Sequence, residues 1–198
     1  MKVLGVCGSP KTTGSSTLFA LEQCMNTIQE SGVETEILNL ADYSFGGCED
    51  CGACAKQLAC SQDDDFTNKI MPLLDTDQIK GFVFASPVYF GGMSSQMKAF
   101  FDRAIGFRRN GFRWEHLVAG CLSVGRSRHG GQELTIFDMA RAAMVHGMIV
   151  VPDSAPTSHF GANLWSGHPE GVVHDTHGLT TAVNLGKSMA KIVQKVHG

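Results

Sequence analysis

The chain lacks any apolar run close to the roughly 20 residues needed to cross a bilayer, so no spanning helix is expected. It also lacks an excess of charge of either sign. Lys and Arg number 16 and Asp and Glu 19, for a net charge of −3. The two signs are mixed along most of the chain, which leaves no basic stripe for a nucleic acid or an anionic membrane surface. A secretory leader is not expected either. Gly8-Ser9-Pro10 cuts the first apolar stretch short, and that stretch reads as a buried strand. No Ser-His-Asp or Cys-His set is evident, and no residue is assigned as a catalytic acid or base.

Cysteine, by contrast, is plentiful. There are seven, an odd number, in 198 residues, which suits a reducing cytoplasm better than a disulfide framework. Cys7, Cys24 and Cys121 fall inside apolar strand or helix patterns and are expected to be buried small hydrophobes. The other four crowd into one stretch as Cys48-x2-Cys51-x2-Cys54-x5-Cys60. A zinc ribbon brings its ligands as two C-x2-C pairs about 15–20 residues apart. Three cysteines at every third residue, with a fourth soon after, lie closer to the C-x2-C-x2-C-x3-C run of cluster proteins. The last spacing is longer, and no Pro follows the fourth Cys. An iron–sulfur cluster is the first reading, with zinc or plain thiols as the alternatives.

Apolar periodicity alternates between strand and helix. Lys2–Cys7, Val33–Leu40, Ile79–Ala85, Leu117–Val124 and Met148–Val151 read as strands, the second less apolar and nearer an edge. Leu21, Cys24, Met25 and Ile28 mark a first helix that Ser31-Gly32 ends. Asp63-Asp64-Asp65 opens a second, with Phe66, Ile70, Leu73 and Leu74 on one face. The acid triplet is expected to complement the helix dipole rather than to bind metal. Met97, Phe100, Phe101, Ala104 and Ile105, then Ile136, Ala140 and Met144, then Leu185, Met189, Ile192, Val193 and Val196 mark three more. Five such units call for one α/β domain over 1–198, with a parallel sheet covered on both faces. The cysteine loop (44–62) is an insertion after the second strand. Residues 152–176 form an irregular loop long enough to be functional.

Two loops fall at carboxyl ends of strands, where such sheets bind ligands. The first runs Gly8-Ser9-Pro10-Lys11-Thr12-Thr13-Gly14-Ser15-Ser16-Thr17 into a helix. It has neither G-x-G-x-x-G nor G-x-x-x-x-G-K-[ST], which argues against a dinucleotide site and a P-loop. Its hydroxyls (Ser9, Ser15, Ser16, Thr17), its backbone N–H groups and Lys11 suit a monophosphate at a helix N-terminus. The second is Ser86-Pro87-Val88-Tyr89-Phe90-Gly91-Gly92. Tyr89 and Phe90 can wall a planar ring, and Gly91 and Gly92 let backbone N–H groups approach its edge. Together the loops point to flavin mononucleotide.

This combination resembles the iron–sulfur flavoproteins, a branch of the NADPH-dependent FMN reductase superfamily with a flavodoxin-like fold. Gly8 to Thr17, the cysteine motif and Ser86 to Gly91, continuing to Lys98 and Asp102-Arg103, carry the likeness, along with Arg126 to Glu133. It spans nearly the whole chain. The resemblance implies a five-stranded sheet of order 2-1-3-4-5. It implies FMN with its phosphate on Ser9, Ser15, Ser16 and Thr17 and its ring on Pro87 through Gly92. It also implies a [4Fe-4S] cluster on Cys48, Cys51, Cys54 and Cys60, and a homo-oligomer, dimer or tetramer. Ser16 stands where the family usually has Asn. Electron transfer between a one-electron donor such as ferredoxin and a two-electron acceptor is the leading functional expectation. The runner-up is an NAD(P)H-dependent flavin or quinone reductase without a cluster, in which Arg126, Arg128 and His129 would meet a nucleotide phosphate. A flavodoxin-like scaffold with a zinc knuckle is the third reading. His174 and His177, three apart, are expected to be ordinary histidines rather than metal ligands.

Overall fold

A computed structural model describes all residues from Met1 to Gly198. Its parallel sheet runs β2-β1-β3-β4-β5, the order implied above. The strands are β1 (Lys2–Cys7), β2 (Glu34–Asn39), β3 (Ile79–Pro87), β4 (Val118–Gly125) and β5 (Ile149–Val151). β1, β3 and β4 are buried on both faces, which is why they read as continuous apolar runs. β2 is the edge. Its exposed Glu34 and Glu36 both pair with Lys2 on β1, at 3.2 and 2.9 Å.

The alternation of strand side chains divides the core in two. Leu4, Val6, Phe82, Phe84 and Cys121 face one way, onto α3 (Ser95–Arg103), α4 (Ile105–Arg109) and α5 (Gln132–Val145). Val3, Cys7, Val83, Ala85 and Leu122 face the other, onto α1 (Ser16–Glu30) and α6 (Thr176–His197). Cys7, Cys24 and Cys121 are buried as expected, and burial pushes their thiols up to about 11, 12 and 12.

The structure differs from expectation in four places. The loop 152–176 contains a sixth strand, β6 (Ala162–Trp165). β5 pairs with Val118–Gly120 of β4, and β6 pairs with the next stretch, Leu122–Gly125. The sheet edge is therefore one line of pairing interrupted by residues 152–161. Four residues are too few for periodicity to mark. Met144 is exposed; α5 turns Ile136, Met139, Ala140 and Ala143 inward instead. Val196, in the last turn of α6, is exposed as well. The helix after the acid triplet starts as a π-helix (Phe66–Ile70) before α2 (Met71–Leu74). The Met71 N–H reaches back to Phe66 O, one residue farther than in an α-helix, just before Pro72, which has no N–H to offer.

Because every strand is parallel, the loops after β1, β3, β4 and β6 emerge at one edge. Gly8 N–H donates to Ala85 O at 2.7 Å, and the buried Ser94 Oγ donates to Gly8 O at 2.5 Å. Ser94 N–H donates to Ser86 Oγ at 2.9 Å, and Ser94 Oγ caps α3 by accepting from Met97 N–H. One buried serine thus ties the first two loops together.

Candidate functional site

Two sites sit on this scaffold. The first is a cleft of about 430 Å³, inside the roughly 300–1,000 Å³ range of small-molecule sites. It brings together Ser9, Lys11, Ser15, Ser16 and Thr17 from the loop after β1 and Pro87, Val88 and Tyr89 from the loop after β3. Phe90, Gly91 and Gly92 lie outside it. Tyr89 and Gly92 exchange backbone hydrogen bonds at 3.0 and 3.1 Å, so the intervening residues form the tip of a tight turn. Phe90 is fully exposed there, and Gly91 packs under Gly131. A Cβ on Gly131 would come within 2.9 Å of Gly91 Cα, so the close approach of the two loops requires glycine.

The cleft suits a phosphate. Backbone N–H groups of residues 12–17 donate to no protein acceptor, while Ser15 Oγ accepts from Leu18 N–H as the N-cap of α1. No acidic residue sits in the first turn of α1. The lining holds two cations, Lys11 and Arg126, and no carboxylate. Free donors, helix dipole and cations act in the same direction.

Arg126 and the segment Ser166-Gly167-His168-Pro169 complete the wall. The sequence gives them little signal, because they are positioned by the short β6. Trp165 Nε1 donates to Arg126 O at 2.7 Å, and Ser166 N–H donates to Gly125 O at 2.9 Å. A Cβ on Gly167 would collide with Arg126 O and Trp165 Nε1, so the turn depends on glycine.

The second site is the cysteine loop. Cys48, Cys51, Cys54 and Cys60 line one small pocket with Arg103, Ile105, Gly106 and Arg109, and none is in a disulfide. Donors are directed at their sulfurs. Arg109 Nη1 donates to Cys54 Sγ at 3.2 Å, Ser61 Oγ to Cys51 Sγ at 2.9 Å, and Asp50 N–H to Cys48 Sγ at 3.4 Å. The Ser61 hydroxyl holds the Cys51 thiol below its usual range. Such donors stabilise thiolates, the form in which cysteine binds metal.

Arg103 anchors this loop from beneath. Its side chain is buried, and its guanidinium donates to Asp64 at 2.6 and 2.9 Å, to Gly46 O at 3.2 Å and to Gln62 Oε1 at 3.0 Å. Both ends of the cysteine loop therefore hang on one cation. Burial alone would raise the Asp64 carboxyl, but the Arg103 hydrogen bonds outweigh it and hold the group below the usual carboxylate range. Asp63 accepts from Asn68, and Asp65 accepts from Ser44 N–H and pairs with Lys69, so the triplet caps and pins. A groove of about 480 Å³ runs from Cys48 and Asp50 of the cysteine pocket to Met93, the residue after Gly92.

His174 and His177 do not face one another. His174 stacks on His168 with ring centroids 5.0 Å apart and pairs with Glu170 at 3.5 Å, whereas His177 meets His159. The Glu170 N–H donates to His168 Nδ1. No helix is long and apolar enough to cross a membrane.

Residues 1–163 match the family model for NADPH-dependent FMN reductase. An iron-sulfur flavoprotein of Methanocaldococcus jannaschii is 40% identical over 196 residues, covering 99% of each chain. One of Methanosarcina thermophila is 35% identical over 99% of this chain and 97% of its own. Among solved structures, a WrbA-like flavodoxin from Agrobacterium tumefaciens superposes with a TM-score of 0.63 at 17% identity, covering 98% of each chain.

Proposed function

The chain belongs to the NADPH-dependent FMN reductase family and, within it, to the iron–sulfur flavoproteins, and on that premise we propose that it is an oxidoreductase moving electrons between a one-electron donor such as a ferredoxin and a two-electron acceptor. The observation that carries this reading is the convergence of four unpaired cysteines on one pocket, with Arg109 and Ser61 donating to their sulfurs.

FMN would place its phosphate on the free N–H groups of residues 12–17, the hydroxyls of Ser9, Ser15, Ser16 and Thr17, and the cations Lys11 and Arg126. Its ring would lie against Pro87, Val88 and Tyr89, with Phe90, Gly91 and Gly92 at the outer rim. Ser16 brings a hydroxyl and a backbone N–H where relatives usually have Asn. Cys48, Cys51, Cys54 and Cys60 would hold a [4Fe-4S] cluster. When bound, FMN takes one or two electrons and the cluster one at a time, so together they couple one-electron to two-electron chemistry. The chain's own part is to hold both groups on one rigid edge and to set the charge around them. Ser94 locks the loops, Arg103 locks the cysteine segment, and Arg109 places positive charge at Cys54.

The exposed apolar side chains beside the flavin loop, Tyr89, Phe90, Leu134, Phe137 and Phe160, support a homo-oligomer in which a second copy covers this face. Seven cysteines without a disulfide support a cytoplasmic location.

Stopped-flow mixing under anaerobic conditions tests the assignment. Reduced ferredoxin is expected to bleach the flavin rapidly, NADPH slowly. Rapid direct bleaching by NADPH, unchanged when the cysteines are replaced by serine, would assign the protein to the pyridine-nucleotide reductases instead.

A further inference from the structure

A cavity of about 490 Å³ lies on the other side of the Arg126–Gly131 loop from the flavin cleft. It is framed by the start of α5, the start of α6, β6 and the 152–161 segment. Arg128, His129, His159, Asn163, His177 and Glu133 line it.

Several independent features make it a site for a phosphorylated ligand. At the start of α5 the N–H groups of Gln132, Glu133 and Leu134 have no protein acceptor, nor do those of Thr176 and His177 at the start of α6. Two helix N-termini, of 14 and 22 residues, thus open on one space. Arg128 makes no ion pair; its guanidinium lies 3.9 Å over the Trp165 ring, which fixes it while leaving its N–H donors free. The acids nearby oppose this little. Asp175 is committed to Trp165 N–H and Gly178 N–H, and Glu133 alone is uncommitted.

The histidine on the far wall is built in. Asp153, fully buried, accepts from the His159 backbone N–H, from Thr157 Oγ1 and, at 3.2 Å, from His159 Nδ1. Thr157 in turn accepts from the buried Asn184 at 2.9 Å, and Ser154 meets Ser188 at 3.0 Å, which clamps the segment to α6. A buried carboxylate fixing one ring nitrogen leaves Nε2 as the free one, beside His177 at a centroid distance of 5.7 Å. Asn163 also lines the cavity, and its Nδ2 donates to Gly161 O at 3.1 Å.

We propose that this cavity binds a phosphate group, as free phosphate or as an organic phosphate ester, on Arg128, His159, His177 and the two helix N-termini. The site is separate from the flavin cleft, so its occupancy does not depend on FMN. Arg126 and Arg128, two residues apart, serve one cleft each.

Calorimetric titration of the flavin- and cluster-loaded protein with ribose 5-phosphate and with inorganic phosphate tests this. One saturable site per chain is expected for both. Arg128→Ala and His159→Gln should each weaken binding at least tenfold with flavin content unchanged. Competition by NADPH would identify the phosphate as that of a pyridine nucleotide; no competition would identify a separate phosphate ester. Absence of binding at millimolar concentrations, or binding unaffected by Arg128→Ala, would overturn the proposal. So would binding only in flavin-depleted protein, since that would place the ligand in the flavin cleft.

Discussion

Arg109 Nη1 donates to Cys54 Sγ at 3.2 Å, while the next residue, Asn110, donates through Nδ2 to Cys54 O at 3.0 Å. Helix α4 thus grips the third cysteine by both sulfur and backbone. A cation beside a thiolate favours the more negative, reduced state of anything bound to it. Arg109→Gln is therefore expected to lower the cluster's reduction potential by tens of millivolts in a titration followed by electron paramagnetic resonance. The shift should shrink as salt rises, because Arg109 is exposed. An unchanged potential would show that the contact plays no electrostatic role.

The Arg103–Asp64 pair makes a second prediction. Asp64→Asn would leave a buried guanidinium without its anion. Breaking a buried pair costs roughly 3–5 kcal/mol, and the low end, about 3 kcal/mol, is expected because Asp64 keeps some solvent contact. Gly46 and Gln62 would lose their shared anchor, so iron retention should fall more than flavin retention. Denaturant unfolding and iron release to a chelator measure the two effects.

Gly167 is the third. Alanine there would push against Arg126 O and Trp165 Nε1, and Arg126 lines the flavin cleft. Gly167→Ala is expected to weaken FMN binding at least tenfold while leaving the iron content intact, as fluorescence titration of the apoprotein and metal assay would report. Equal loss of both would mean that the whole fold had been disturbed.

His146 predicts a pH dependence. It is buried against Trp114, ring centroids 4.6 Å apart, with Nδ1 unpartnered. Burial first, and Arg108 second, push it down to about 4. The folded state thus binds fewer protons than the unfolded one between pH 4 and about 6.5. Stability from this group is present above pH 6.5 and is lost as pH falls toward 4, by at most about 3 kcal/mol. Chemical unfolding of flavin-loaded protein at pH 7 and pH 5 measures this slope, and His146→Phe should flatten it.

Much of this was legible in the sequence because the signals were local. Apolar runs bounded by Gly8 and Pro87 marked β1 and β3, and four cysteines in thirteen residues marked their own loop. What escaped was set by tertiary pairing. β6 is four residues long and exists because Leu122–Gly125 offers it a free edge. With β6 unseen, the Ser166–Pro169 wall of the flavin cleft was invisible as well. Asp64 looked like a helix-capping acid, and nothing local shows that Arg103, 39 residues on, is its partner. Met144 fitted the stripe of α5, yet the sheet takes Met139 and Ala143, one step around the helix.

On this reading one chain holds a flavin and a cluster on the same edge of its sheet. Assay of FMN, iron and acid-labile sulfide on anaerobically purified protein tests it most directly, alongside serine variants of Cys48, Cys51, Cys54 and Cys60. One FMN with about four irons and four sulfides per chain is expected, with iron lost but FMN kept in each variant. Flavin with less than one iron per chain after reconstitution, or stoichiometric zinc in its place, would contradict it.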